Sequence, residues 1–166
     1  MPAWPPLEAV LDVGQSAKRC PGLSEHDGSI WRSFVAANPR HFQQAWFYVP
    51  VTTGPQDLSQ YCPQTLAEQM WPSYAYRPDV VATRHGTIWV IELKPHATHH
   101  ALGQALYYAH QFNVMYNPAI PAIPAIIART YALDLVAIAN RYDCSCLTCA
   151  TLQDAPGPTI PVPAGS

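Results

Sequence analysis

Residues 77–94, RPDVVATRHGTIWVIELK, restrict the fold more than any other stretch of this chain. Asp79 opens a short apolar run, Val80–Ala82. A turn signal follows at Arg84, His85 and Gly86, then a second apolar run, Ile88–Leu93, which carries Glu92 and is followed at once by Lys94. Two such runs around a glycine-containing turn read as a β-hairpin. Side chains two apart on a strand share a face. Glu92 and Lys94 therefore point the same way as Ile88 and Val90, while Trp89, Ile91 and Leu93 point the other way. Both faces are apolar, so the strand is expected to be central and covered on both sides. Antiparallel pairing about His85-Gly86 brings Asp79 near Glu92. The chain has two lysines and eleven acidic residues, yet one lysine and two acids meet here. Charge is costly to hold near the end of a buried strand. Two crowded carboxylates call for a cation, and oxygen ligands favour Mg²⁺ or Mn²⁺.

The rest of the pattern surrounds this hairpin. Ser24 and Asp27 have the spacing of a capping box, and Ile30, Trp31, Phe34 and Val35 recur at helical intervals up to Pro39. Ala45–Val51 is aromatic and β-branched and reads as a strand; Leu66–Met70 reads as a short helical turn before Pro72. The hairpin strands are expected over Tyr76–Ala82 and Thr87–Lys94, with Pro95 ending the second. Thr98 is placed to cap a helix running to about Asn113. Prolines at every third position over Asn117–Ile127 favour an extended connector, followed by apolar strands at Ile126–Arg129 and Leu133–Ala139. The sum is an α/β fold, a mixed central β-sheet flanked by helices. A length of 166 residues suits one domain, read here as 18–150. An irregular proline-containing segment, 1–17, precedes it and a Pro-rich tail, 151–166, follows.

Pro78-Asp79, twelve intervening residues, then Glu92-Leu93-Lys94 form an ordered motif, and Gln104 and Tyr108 follow on the next helix. The arrangement resembles the PD-(D/E)XK nuclease superfamily, and the QxxxY pair resembles its RecB-like exonuclease branch. The resemblance spans roughly Ser24 to Ala139 and implies a restriction-endonuclease-like core. It implies divalent-metal-dependent hydrolysis of DNA phosphodiester bonds, with Asp79, Glu92 and the Leu93 carbonyl holding Mg²⁺ or Mn²⁺. Lys94 would orient the attacking water or stabilise developing charge, and Gln104 and Tyr108 would position the DNA backbone or the lysine. Members often add an acid from the first helix; Glu25 is the candidate, with Glu68 in reserve. DNA, single- or double-stranded, is the implied partner, with a protein partner supplying target choice. The alternative is a nucleic-acid-binding or scaffolding module on the same fold that does not hydrolyse.

Cys144, Cys146 and Cys149 follow the core and Cys20 precedes it. Four thiolates can bind Zn²⁺ or an iron–sulfur cluster. The layout is similar to RecB-like and CRISPR-associated exonucleases with one early and three late cysteines. The CxCxxC spacing departs from theirs, and Cys62 competes with Cys20. The plainer interpretation is unligated, partly buried thiols. His96, His99 and His100, with His85 in the turn, read as solvated residues near a helix start rather than metal ligands. A net charge of −2 rules out a chain-wide basic surface, leaving Lys18, Arg19, Arg32, Arg40, Arg77 and Arg84 as local contacts for a polyanion. No apolar run approaches the ~18 residues of a membrane span. An odd number of cysteines without export features is expected of a reducing cytoplasm.

Overall fold

The structure, a computed structural model, describes residues 11–16, 18–52 and 59–149. The Pro-rich tail lies outside them. In chain order the elements are β1 (Leu11–Asp12), α1 (Val13–Ser16), α2 (Glu25–Ala37), β2 (Gln44–Trp46), α3 (Gln64–Tyr74) and β3 (Val80–Arg84). Then come β4 (Thr87–Ala97), α4 (His99–Tyr116), β5 (Ile123–Tyr131), α5 (Leu135–Asn140) and β6 (Ser145–Thr148). All six strands join one sheet in sequence order. Pairing is antiparallel from β1 to β4 and parallel from β4 to β6. Parallel neighbours need a crossover, which α4 supplies between β4 and β5.

Two helices cover the middle of the sheet. α2 begins as its capping sequence predicts, with Ser24 Oγ accepting from the Asp27 amide at 3.1 Å. It buries Ile30, Trp31 and Phe34 against Ile91, Leu93 and Ile127. Trp31 Nε1 donates to Ser16 Oγ at 3.0 Å, which fastens α1 beneath α2. On the opposite face α4 lays Ala109 and Phe112 against Val81 and Val90, and Ala101 and Ala105 against Ile126 and Ala128. β4 is thus a central strand, with Val90, Ile91 and Leu93 sealed from solvent. Its turn is tight because His85 and Gly86 both have positive φ, 48° and 81°. That is the backbone of a two-residue hairpin loop, and it makes Gly86 a natural choice.

Several elements depart from the sequence expectation. β4 runs through Pro95 to Ala97. Leu93 N–H points toward the β3 side, so by strand alternation the missing N–H of Pro95 faces that side too, beyond the last β3 pair, where no ladder bond is lost. The proline-rich connector gives way to strand at Ile123, and Pro124 falls just before the first pair with β6. Asn113 holds the connector in place, its amide bonding both the N–H and the C=O of Ala122. Leu133–Ala139 is not a strand. Helix α5 occupies Leu135–Asn140 and buries Leu135 and Ala139, an i, i+4 pair, while Leu133 is fully exposed. The last strand is β6, within the cysteine segment. β2 stops at Trp46, and Tyr48 has φ 59°. Among the described residues, strand is also present at Leu11–Asp12, inside the segment read as irregular.

The two kinds of contact predict different costs. Phe112→Ala empties a fully buried site and should cost about 3–5 kcal/mol. Ser24→Ala removes one cap bond and should cost about 1 kcal/mol. Urea unfolding midpoints at unchanged slope measure both.

Candidate functional site

The β3–β4 ladder ends at Val80–Ile91. One step further, where Asp79 would face Glu92, the Asp79 side chain replaces the backbone. Its Oδ2 accepts from the Leu93 amide at 2.7 Å. The Leu93 carbonyl lies on the same edge of the strand as that amide, past the end of β3. Lys94 Nζ donates to Glu92 Oε1 at 2.6 Å. Glu92 is 3% exposed, and its second oxygen, Oε2, is buried with no hydrogen-bond partner. Asp79, Glu92, Lys94 and the Leu93 main chain therefore gather midway along the central strand, just past the end of its ladder with β3.

The electrostatics are under-compensated. Burial raises the Glu92 carboxyl, and the charge of Asp79 raises it further; the Lys94 bond and charge offset only part, leaving it pushed up to about 7. Asp79 is likewise pushed up to about 6, chiefly by burial, with the Leu93 amide and Lys94 opposing and Asp27 adding to the rise. For Lys94 burial works against the charge, but the bond to Glu92 and the charges of Glu92, Asp79 and Asp27 outweigh it and raise the amine. One ammonium does not balance these acids. A cation seated among them would relieve the strain.

α4 supplies the next layer. Gln104 and Tyr108, one turn apart, bond to each other through their side chains, and Tyr108 is close enough to feel Glu92, Asp79 and Lys94. Its phenol is raised, first by burial and then by the Glu92 charge. Both residues line a groove of roughly 450 Å³ with Tyr76, His99, His100, Gly103 and Tyr107. Tyr76 packs edge-on against Tyr107 at 5.4 Å between centroids and lies 6.3 Å from Tyr108. An aromatic wall therefore adjoins the acidic residues beside β4.

The acid contributed by the first helix is not the one the sequence suggested. Glu25 is exposed at the helix start, whereas the charge of Asp27 bears on Asp79, Glu92 and Lys94 alike. Two residues along a helix turn a side chain by about 200°, so only one of the two faces the sheet. The i+3 capping signal already marked Asp27, but as structure. Its Oδ2 also accepts from Ser24 Oγ at 2.6 Å. Glu68 lies on α3, bonded to Gln64 at 3.1 Å, and takes no part in these electrostatics.

The cysteines are divided by the sheet. Cys144 and Cys146 pack into the cluster beneath α4 and α5, and Cys20 and Cys149 against the cluster beneath α2. Cys20 Sγ bonds Ser16 O, and Cys149 Sγ bonds Ile30 O. Burial pushes the thiols of Cys144 and Cys146 up, to about 12 and about 11, away from the thiolate form a metal needs. The four expected to share Zn²⁺ or an iron–sulfur cluster are not brought together. Among the described residues, no three His, Cys, Asp or Glu side chains group as they would around one ion. The acidic end offers two carboxylates and a main-chain carbonyl, a set suited to Mg²⁺, which keeps several waters and shares its ligands with phosphate. His96 bonds Thr130 Oγ1 at 2.8 Å, and His99 and His100 stack at 4.3 Å on the groove. The basic residues do not form one patch: Arg77 lies over the Tyr48 ring, Arg32 beside Cys20, and Arg40 and Arg84 share a cavity elsewhere. Among the described residues no helix is long and apolar enough to cross a membrane.

No family model, no curated protein and no solved structure matches this chain.

A raised carboxyl pKa makes the ionised group a burden on the fold. The burden is absent below the usual glutamate value near 4.5 and grows up to about pH 7. Glu92→Gln should therefore raise the metal-free melting temperature by a few degrees at pH 8, on the order of 1 kcal/mol. The gain should vanish near pH 4.5. Lys94→Met should do the opposite at pH 8, because it leaves two buried acids uncompensated. Thermal unfolding in chelator at both pH values checks the pair.

Proposed function

We propose that this chain is a divalent-metal-dependent nuclease that hydrolyses DNA phosphodiester bonds on a restriction-endonuclease-like core, akin to RecB-like exonucleases. The observation that carries this reading is the buried Glu92 carboxylate, bonded to Lys94 through one oxygen and unpartnered at the other. Asp79 stands beside it, anchored to the neighbouring amide. The order α2–β2–β3–β4–α4–β5, an antiparallel meander followed by a parallel strand across a helix, suits that core.

In this reading Asp79, Glu92 and the Leu93 carbonyl hold Mg²⁺ or Mn²⁺. The ion, when bound, polarises the scissile phosphate and lowers the pKa of a water. The protein's own part is placement. Asp79 is fixed by the Leu93 amide, so the two carboxylates keep their spacing without reorganisation. Lys94 is half-exposed beyond Glu92, a compact positive charge at the mouth of the site, suited to orienting water or steadying the phosphate. Asp27 adds negative charge from α2 and takes the role first given to Glu25. Gln104 and Tyr108 border the site and position the strand, and the tyrosines of the groove offer ring faces on which unpaired bases stack. With a net charge of −2, attraction of DNA depends on the metal and on local cations, and a protein partner supplies target choice. No step uses the cysteines.

Purified protein should cleave single- or double-stranded DNA with Mg²⁺ or Mn²⁺ and not in chelator. Asp79→Ala, Glu92→Gln and Lys94→Ala should each lower the rate about 10²–10³-fold or more. Asp27→Asn should weaken cleavage well beyond Glu25→Gln. DNA binding without cleavage under every metal and strand condition would replace this reading with the non-hydrolysing module.

A further inference from the structure

We propose that Arg40, His41 and Arg84 form a phosphate-binding site at the turn end of the β3–β4 hairpin, separate from the candidate nuclease centre. These three side chains, with Asn38 and Pro39, line a cavity of roughly 300 Å³. Arg84 ends β3 just before the turn. It lies four residue steps along the strand from Val80, next to Asp79, a distance of ~13 Å at ~3.3 Å per residue. The inference does not depend on the nuclease reading.

The cavity is rich in donors that lack acceptors. Arginine carries five N–H donors and no acceptor. Neither Arg40 nor Arg84 has a carboxylate partner among the described residues, where the one ion pair is Lys94–Glu92. His41 is 7% exposed, and its Nε2 is buried with no hydrogen-bond partner. Trp89, whose ring lies 6.3 Å from that of His41, has a buried indole N–H that is also unpartnered. Buried polar groups normally find partners, and each orphan costs about 1–3 kcal/mol. These two neighbouring rings, with two guanidinium groups lining the same cavity as His41, suit an acceptor-rich anion.

Three nearby acceptors are already engaged. Phe34 O accepts from both the main-chain and side-chain nitrogens of Asn38. Asn38 O accepts from the His41 amide, and Gln43 Oε1 accepts from the His85 amide. Burial, together with the nearby Arg84 charge, lowers the His41 pKa, which favours the neutral ring. A phosphate set among these groups would favour the imidazolium and give its second N–H an acceptor. Two guanidinium groups and an imidazolium match a tetrahedral dianion, and arginine grips phosphate in a bidentate manner. The cavity volume leaves room for an ester substituent as well as the phosphate itself.

The test is NMR of the His41 ring in the full chain, titrated with inorganic phosphate near pH 6.5 against sodium chloride of equal ionic strength. Saturable shifts with phosphate but not chloride, and an upward move of the His41 pKa, are expected. The double variant R40Q/R84Q should weaken the response at least tenfold, with an unchanged circular dichroism spectrum confirming its fold. A His41 response that never saturates, that chloride reproduces, or that the folded double variant retains overturns the site. Competition by a short 5′-phosphorylated oligonucleotide in the Asp79→Ala background identifies the source. Displacement of phosphate assigns the site to nucleic-acid phosphates, and no displacement assigns it to free phosphate; both outcomes keep the site. Loss of the nuclease reading would leave the phosphate titration unchanged.

Discussion

A single side-chain-to-backbone bond, Asp79 Oδ2 to the Leu93 amide, defines how the acidic end of the sheet is built. It caps the last pair of the β3–β4 ladder and replaces the next backbone bond with a carboxylate. Without it, the first residue beyond β3 would have no fixed position relative to the central strand. With it, Asp79 sits next to Glu92, and the edge bearing the Leu93 carbonyl stays clear of β3. Sheet geometry thus becomes site geometry. The central strand is covered by α2 on one face and α4 on the other, so the charges along it lie in surroundings that give them little help from water.

That burial has an energetic cost. Glu92 and Asp79 are both held above the ordinary carboxylate range, and a lysine bonded to one of them is not enough to restore it. A fold selected for stability alone would gain by replacing such acids with neutral groups. Perturbed carboxylates gathered in one place more often mark chemistry than architecture. The adjoining groove of tyrosines and histidines, lined in part by the same α4 residues that border the acids, gives the site a surface on which a ligand can lie.

The sequence disclosed what depends on local pattern. Alternation along 88–94 assigned Glu92 and Lys94 to one face, and Ser24 with Asp27 marked the start of α2. Both signals lie within a few residues. Features set by three-dimensional neighbours were not legible. Leu133–Ala139 is apolar except for Asp134 and fits a buried strand or a helix, and only its contacts select the helix. The choice between Glu25 and Asp27 depends on the rotation of α2 about its axis relative to the sheet. The cysteine cluster looked like one site because its members are close in sequence; β6 carries Cys146 to one face, and Cys149, three residues on, packs on the other. Pro95 seemed a stop because the direction of its missing N–H is known only once the neighbouring strand is seen to have ended.

The hairpin also determines which changes in length the chain can absorb. Its turn projects from the sheet, so extra residues at His85-Gly86 lengthen a loop and leave the pairing intact. Removing one residue from 87–91 is a different event. Every later side chain of β4 would exchange faces, carrying the 92 and 94 positions under the Trp31–Phe34 layer and turning Leu93 toward Tyr108. Insertions and deletions in this gene should therefore be tolerated at the loop and purged from the strand beside it.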